Sequence, residues 1–346
     1  MRRFILFVIC ALIGFGCTSD LEPENRAILL SASVAYDAID VNSTVKSVSV
    51  DPYSGSPSVN NGLPVDLWFS YTSGHYSHYP AAPQYIPCVT SAIYTGSNRM
   101  DIKIGENILL YPISIDANYN EVGSNVYCVG FSPQGNWNAP TGSDAVTGAS
   151  HTIDGSQDLM YAEQIRGSYS SNFPTQHYQH LLTWVKINIS ATSIEAAGIW
   201  GDVESLSIVS PNSTVEISFP ESEGASSNFG YSGDPIEFDL TLPQEKSLNI
   251  TSRTFGQVFC APPVKNSNNE YGYMIAVKTK NASEKTVFVP LKDESNRALS
   301  DADAARGKLF VINLYLNEVK VVDGICTLRH WDDQMSYIYF YDNKNE

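Results

Sequence analysis

The alternation of apolar and polar side chains is clearest in the middle of the chain, just after residue 180. Two sets of side chains alternate there: Leu181, Thr183, Val185, Ile187 and Ile189 against Leu182, Trp184, Lys186, Asn188 and Ser190. A period of two is typical of a β-strand with one buried face. The pattern therefore predicts a strand at 181–190, preceded by a short compact run at 158–165 and a polar loop that ends at residue 174.

Shorter patterns of the same kind lie on both sides of this strand. They predict strands at 26–36, 41–50, 65–71, 100–104, 108–115 and 125–131, and then at 205–209, 215–219, 236–242, 247–251, 271–278, 286–291 and 310–316. Turn-forming residues separate them. A short helix is predicted at 300–306, because Ser300 can cap it and Gly307 can end it. Many short strands at this spacing predict an all-β fold of antiparallel β-sandwiches.

The length of the chain allows two domains of ordinary size, since it has 346 residues. The polar loop before residue 175 lies near the middle of the chain and has strand patterns on both sides. We interpret this loop as the join between two domains. The sequence thus predicts an N-terminal β-sandwich domain at 27–174 and a C-terminal one at 175–346.

The first sixteen residues have the parts of a secretory signal peptide. Arg2 and Arg3 form the positive start, and the apolar core at 4–15 is too short to span a membrane. The ending IGFGC resembles a bacterial lipobox, in which Cys17 is acylated and anchors the protein in a membrane. The alternative is an ordinary cleaved signal with a chance cysteine. Residues 17–26 form an acidic tether, and TSDLEPE within it resembles the surface-export signal of Bacteroidota lipoproteins, which implies the outer leaflet of the outer membrane.

The charge of the chain excludes some partners. The formal net charge is −16, and loss of Arg2 and Arg3 with the signal peptide would make it −18. Such an acidic surface argues against nucleic acids and anionic lipid head groups as partners. The composition, with only 17% charged residues and many Tyr, Ser, Thr and Asn, favours exposed β-structure over helix bundles.

Two separated blocks of sequence resemble a known family. The first is DLMYA, a polar loop, and the strand pattern that runs from His180 through Trp184 to Ile189; the second is RGKLFVINLYL followed by DGICTLRHW. Together with the lipobox they resemble fimbrillin-type pilus lipoproteins of the Bacteroidia. The departures are Phe310, where the family commonly has Tyr, and the absence of Pro before Trp331. The resemblance implies two tandem transthyretin-like antiparallel β-sandwich domains.

The resemblance also implies assembly by strand exchange, a form of β-augmentation. A protease would remove an N-terminal strand, for which the candidate residues are Ile28, Leu30, Ala32 and Val34. Lys46 is the candidate cleavage site; the alternative is an ordinary surface lysine. The candidate donor strand is 335–341, in which Tyr337, Ile338, Tyr339, Phe340 and Tyr341 are apolar on both faces. The alternative is that this strand pairs within its own sheet, because an unpaired strand of this kind would promote aggregation.

The remaining candidate sites are weak. Four cysteines, Cys88, Cys128, Cys260 and Cys326, could form two disulfides in three possible pairings. Cys88 with Cys128 and Cys260 with Cys326 would keep each bridge within one domain, and free buried thiols are the equal alternative. The H-x-x-H pairs at 75–78 and 177–180 have the spacing of a metal site but lack further ligands, so we expect solvated loop histidines and no metal. No catalytic motif is present, and we expect neither enzymatic activity nor a cofactor.

These observations predict a surface-exposed, lipid-anchored fimbrial subunit or pilus anchor that supports cell adhesion. Its partners would be other pilus subunits, the outer membrane through the lipid, and a host or bacterial surface receptor. The alternative is a monomeric carbohydrate-binding surface lipoprotein. In that case exposed aromatic residues would stack on sugar rings. The candidates are Trp68, Tyr76, Tyr79, Trp137 and Trp200.

Overall fold

The structure is a computed structural model that describes fourteen parts of the chain. These are residues 30–34, 63–70, 73–74, 76, 90–94, 100–102, 113–115, 121–123, 125–133, 135, 137–138, 146–293, 297–319 and 322–330. Within them, regular structure is almost entirely β. No helix among the described residues is long and apolar enough to cross a membrane. The all-β fold predicted from the alternation pattern is confirmed.

The first half of the chain forms a closed sheet of seven strands. The strands up to residue 180 are β1 (Leu30–Val34), β2 (Leu63–Ser70), β3 (Thr90–Tyr94), β4 (Met100–Ile102), β5 (Ile113–Ile115), β6 (Glu121–Gly123), β7 (Val126–Ser132), β8 (Gly148–Thr152), β9 (Met160–Gly167) and β10 (Gln176–His180). The order in the closed sheet is β1-β10-β9-β7-β2-β3-β4, and β4 pairs with β1 to close it. β5 and β6 pair with each other.

The second half forms two facing sheets, which we call the second sandwich. The elements of the second half, which also contains the hairpin β13–β14 outside these two sheets, are β11 (Thr183–Ala191), α1 (Ile194–Trp200), β12 (Val203–Ser210), β13 (Thr214–Ser218), β14 (Asn228–Ser232), β15 (Ile236–Asp239), β16 (Arg253–Cys260), β17 (Val264–Lys265), β18 (Tyr271–Thr279), β19 (Ala282–Pro290), β20 (Lys308–Leu316) and β21 (Val322–His330). One sheet has the order β16-β11-β20-β21; the other has β15-β12-β18-β17, with β19 also on β18. Phe310 and Tyr273 meet between them, with ring centroids 6.4 Å apart.

Strand pairing also crosses residue 174, the predicted join. The hairpin of β13 and β14 pairs with β8 in a three-stranded sheet, and β10 pairs with β9 and β1. The three-stranded sheet covers the outer face of the closed sheet. Phe219, just after β13, lies 6.0 Å from Trp68 and 6.1 Å from Phe131, ring centroid to ring centroid. The division into domains at 27–174 and 175–346 stays a prediction.

The one helix within the described residues was not predicted. Ser193 caps α1 by accepting a hydrogen bond from the backbone N–H of Ala196, and Gly201 ends it with φ 72°. With seven residues and Gly198 inside it, the helix has no clear sequence periodicity. It is held by packing, because Trp200 is fully buried and its indole N–H donates to the backbone oxygen of Asn317 at 2.7 Å.

Three local predictions need correction. Residues 247–251 are not a strand; Arg253 instead donates to the backbone oxygens of Glu245 and Ser247. The predicted helix at 300–306 is a single turn, in which the N–H of Ala304 donates to the oxygen of Ser300 at 3.0 Å. The pairing is not wholly antiparallel, because β1 with β10 and β11 with β20 are parallel. The predicted strand at 41–50 lies outside the described residues.

Candidate functional site

The N-terminal strand β1 is hydrogen-bonded on both edges. It runs parallel to β10, with Ala32 opposite Gln176 and Val34 opposite Tyr178. It runs antiparallel to β4, with Leu30 opposite Ile102. The strand predicted to be removable therefore completes the closed sheet, and it contains Leu30, Ala32 and Val34. Ile28 lies outside the described residues.

The strand beside β1 buries polar side chains inside the closed sheet. Gln176 and Tyr178 are fully buried at the two positions of β10 that face Ala32 and Val34 in register. The hydroxyl of Tyr178 donates to Oε1 of Gln176 at 3.3 Å, and Nε2 of Gln176 donates to Sγ of Cys128 at 3.5 Å. Burial, and then the nearby Cys128 and Asp66, raise the pKa of Tyr178 well above its ordinary value. The phenol thus stays protonated and remains a donor.

Gly130 on β7 makes room for this tyrosine. A Cβ at residue 130 would lie 2.2 Å from Oη of Tyr178 and 2.8 Å from its Cζ. A side chain at this position would force the buried ring of Tyr178 to move, so the observed packing depends on glycine. The pairing of β7 with β9 is irregular between Cys128 and Gly130, next to the same contact.

The end of β10 is fixed by a buried contact between a histidine and an aspartate. Nδ1 of His180 lies 2.6 Å from Oδ2 of Asp158, and both side chains are more than nine-tenths buried. The expectation of solvated loop histidines is therefore wrong for His180, which lies in a strand. His177 is exposed, so the two imidazoles of this pair do not converge. Among the described residues no group of three or more His, Cys, Asp or Glu could hold a metal ion.

The end of β10 and the two residues that follow it make hydrogen bonds to the second half of the chain. The hydroxyl of Tyr231 donates to the backbone oxygen of Leu181, and the N–H of Gly307 donates to the oxygen of Leu182. The guanidinium of Arg306 lies 3.5 Å from the ring centroid of Phe229 and donates to Gln179 at 3.1 Å. The strand beside β1 is thus tied directly to the second sandwich.

Other predicted site residues lie outside the described parts of the chain. These are Cys17, Lys46, Tyr337, Ile338, Tyr339, Phe340 and Tyr341, together with Cys88, His75, His78 and Tyr79. The last described strand, β21, ends at His330, one residue before Trp331. The candidate cleavage site and the candidate donor strand therefore stay predictions.

Of the two alternatives for Cys260 and Cys326, a disulfide or free buried thiols, the structure has the free thiols. Both are buried. Burial raises the pKa of each thiol far above its ordinary value, so both stay protonated and chemically inert. Cys128 is also buried, and its proposed partner Cys88 lies outside the described residues.

The aromatic residues proposed for sugar stacking are misassigned. Trp68, Tyr76, Trp137 and Trp200 are all buried and belong to the hydrophobic core. Trp137 packs on Phe131 with ring centroids 4.8 Å apart. Because an aromatic side chain must be exposed to stack on a sugar, these four cannot form such a platform.

Sequence reasoning missed Gln176, Tyr178 and Gly130. The run QHYQH at 176–180 alternates, but the buried positions are polar, so the pattern does not look like a strand. The strand β10 could have been predicted from the aromatic and amide side chains that stand at every second position of this run.

Comparisons with known proteins find similarity only at the level of structure. No family model matches the chain, and no curated protein sequence matches it. The crystal structure of a candidate cell adhesion protein from Bacteroides uniformis has a TM-score of 0.52 at 11% identity, covering 89% of this chain and 99% of that one. A second such protein, from Bacteroides ovatus, has a TM-score of 0.47 at 12% identity, covering 88% and 98%. The fimbrial anchor protein Mfa2 from Porphyromonas gingivalis has a TM-score of 0.40 at 9% identity, covering 88% and 98%. The first likeness shows a shared β-sandwich fold.

Proposed function

We propose that the protein is a cell-surface fimbrial component, either a pilus subunit or a pilus anchor, that supports cell adhesion without catalysing a reaction. Two features support this. The fold is similar to that of a candidate adhesion protein from Bacteroides uniformis. The sequence carries the lipobox and the two blocks that resemble fimbrillin-type proteins. Acylated Cys17 would hold the protein in the outer membrane, facing outwards.

The observation that carries a polymerising role is the position of β1. Residues 35–62 connect it to β2, so a cut after Lys46 would break this covalent link; among the described residues β1 would then be held by its pairing with β4 and β10. Loss of β1 would open the closed sheet and leave two strand edges without partners. Unpaired buried backbone groups cost free energy, and a strand from a neighbouring subunit would restore the hydrogen bonds.

The donor in this proposal is residues 335–341 of the next subunit. That segment alternates Tyr with Ile and Phe, so it could fill pockets on both faces. The position left by β1 has one parallel and one antiparallel neighbour, which would fix the direction in which a donor could enter. The partners are then other pilus subunits, and adhesion would use a receptor on a host or bacterial surface.

The first measurement is the N-terminus of the protein on the cell surface, by mass spectrometry. A chain that begins at Ser47 is expected if β1 is removed and the subunit polymerises. The control is Lys46→Gln, which should block the cut and abolish polymers on denaturing gels of unboiled envelopes. A chain that always begins at acylated Cys17 would contradict the polymerising role and leave an anchor or a stand-alone lipoprotein.

A further inference from the structure

A groove of about 600 Å³ lies in the second sandwich, where the edges of its two sheets separate. One wall is β15 with the residues that follow it, and the other is β16. The base of the groove is apolar, because Phe238, Leu240 and Val258 turn into the core there. The groove therefore combines an apolar base with the edges of two strands.

The edge of β15 that faces the groove carries backbone hydrogen-bonding groups. The N–H of Leu240 donates to the oxygen of Leu206, so every second residue from Leu240 pairs with β12. In an antiparallel ladder the intervening residues turn their N–H and C=O groups to the opposite side. Those residues are Glu237 and Asp239. Within the described residues no strand pairs with this edge of β15.

The opposite wall, β16, already makes a backbone hydrogen bond to another part of the chain. The N–H of Phe259 on β16 donates to the oxygen of Gly155, at 3.0 Å, on the side away from β11. Gly155 belongs to the loop between β8 and β9 and closes one end of the groove. A Cβ at this residue would lie 3.0 Å from Phe238 and from Val258, and its φ is +80°. A main chain can therefore approach this apolar base closely.

The charges at the groove determine what could enter it. Glu237 and Asp239 line one rim and Asp154 lies at the closed end; all three are exposed, and Lys186 is the cation among the lining residues. The chain as a whole has a net charge of −16, so its own acidic segments would be repelled. A segment with Lys or Arg side chains would be attracted.

We propose that this groove binds an extended peptide segment that carries Lys or Arg side chains and adds as a strand to the edge of β15. The main-chain bonds go to Glu237 and Asp239, apolar side chains of the peptide lie on Phe238 and Leu240, and its cations lie near the carboxylates. This is a second strand-addition site, separate from the β1 position and independent of the proposed strand exchange there.

The test measures binding of labelled peptides to the purified full chain by fluorescence anisotropy. The probe is a seven-residue peptide of alternating Val and Lys, with blocked ends, and its controls replace Lys by Glu. Two further probes carry N-methyl groups on one or the other set of alternate amides. Strand addition predicts that one N-methylated isomer loses binding and the other keeps it, because only one set of N–H groups faces β15.

Charge reversal tests whether the carboxylates on the rim of the groove attract the cationic peptide. Glu237→Lys together with Asp239→Lys should weaken binding of the cationic peptide about tenfold or more. Glu284→Lys is the matched control, since Glu284 is exposed on β19 at the opposite edge of the same sheet. Circular dichroism checks folding, and Asp239→Asn serves if the double variant does not fold.

Three results would overturn the proposal. Equal binding of the two N-methylated isomers would show that main-chain pairing is not involved. Equal binding to the charge-reversed variant would place the peptide elsewhere. Tighter binding of a peptide with the sequence of residues 335–341 would instead assign the groove to a second copy of this chain.

Discussion

The two halves of the molecule bury different kinds of polar side chain. Up to residue 180, the buried polar set includes ionisable and amide groups: Asp66, His151, Asp158, Gln176 and His180. In the described part beyond residue 180, the buried polar residues are only serines and threonines. There the core is built from large apolar side chains such as Trp184, Phe259 and Phe310.

This difference indicates that the halves have different roles. Burying an amide or a carboxyl costs free energy unless it is well paired, whereas burying an aromatic ring stabilises the fold. In the first half, the closed sheet is completed by the short N-terminal strand β1. The central strand of the second half, β11, is paired over seven residues with β16 on one side and over eight residues with β20 on the other. We infer that the second sandwich supplies most of the stability and that the closed sheet is the part able to exchange a strand.

Truncation of a side chain in the apolar core of the second sandwich should give the largest loss of stability. Phe310 is fully buried between the two sheets of the second sandwich. Phe310→Ala would leave a cavity and should lower the free energy of unfolding by about 3 to 5 kcal/mol. Denaturant unfolding measures the effect. Ile194→Ala is the control, because Ile194 is 79% exposed, and it should change stability by less than about 0.5 kcal/mol. A small loss for Phe310→Ala would mean that the second sandwich is not the stable half.

A smaller effect is expected at the polar interior of the closed sheet. Gly130→Ala would force the ring of Tyr178 away from β7, since the new Cβ would overlap its hydroxyl. The expected loss is about 1 to 3 kcal/mol, measured by denaturant unfolding. Because Tyr178 lies beside β1, the same change should make the N-terminal strand easier to remove by protease.

A second substitution tests whether overlap with the hydroxyl of Tyr178 causes the loss of stability in Gly130→Ala. Tyr178→Phe removes the overlapping oxygen, so the double variant should recover part of the loss caused by Gly130→Ala. Additive losses in the double variant would show that the hydroxyl is not the source of the strain. Gly230→Ala is the matched control, because the nearest atom to its Cβ would be 3.9 Å away.

Sequence patterns predicted the second half better than the first. The central strand, at 181–190, appears as β11 at Thr183–Ala191, and 310–316 lies within β20 at Lys308–Leu316. Their alternation is clear because the buried face is apolar. In contrast, β8 and β10 in the first half were not predicted. β8 reads GASHT and β10 reads QHYQH, and their few apolar residues leave no regular alternation of apolar and polar positions. In the second half, β14 and β16 were missed.

The candidate site could be predicted only in part. The sequence indicated β1 as an exchangeable strand, and the structure has a strand there at Leu30–Val34. It could not indicate the neighbours β4 and β10, because strand pairing between distant segments leaves no local pattern. The burial of Trp68, Tyr76 and Trp137 was missed for a related reason: the second layer that covers the closed sheet comes from β13 and β14. Trp200 is buried elsewhere, at the end of the unpredicted helix α1.

The smallest predicted effect concerns Asp66, a buried carboxyl on β2 in the first half. Its Oδ2 accepts from the N–H of Gly135 at 2.6 Å, while Oδ1 is buried and has no hydrogen-bond partner among the described residues. Burial raises the pKa of Asp66 above its ordinary value of 3.8, although the bond from Gly135 lowers it in part. The folded state therefore binds the proton more tightly than the unfolded state. The contribution of Asp66 to stability is present at low pH and is lost as pH rises through the folded-state pKa.

Asp66→Asn tests this by removing the titration while keeping an oxygen that can accept from Gly135. As pH falls from 7 towards 4, the wild type should gain stability relative to the variant, by about 1 kcal/mol or less. Urea unfolding at several pH values measures the difference, and Asp234→Asn, at an exposed aspartate, controls for a general loss of negative charge. A difference that stays constant with pH would mean that burial does not perturb Asp66. The closed sheet would then tolerate its buried carboxyl as well as the second sandwich tolerates its hydroxyls, and this part of the contrast between the halves would fail.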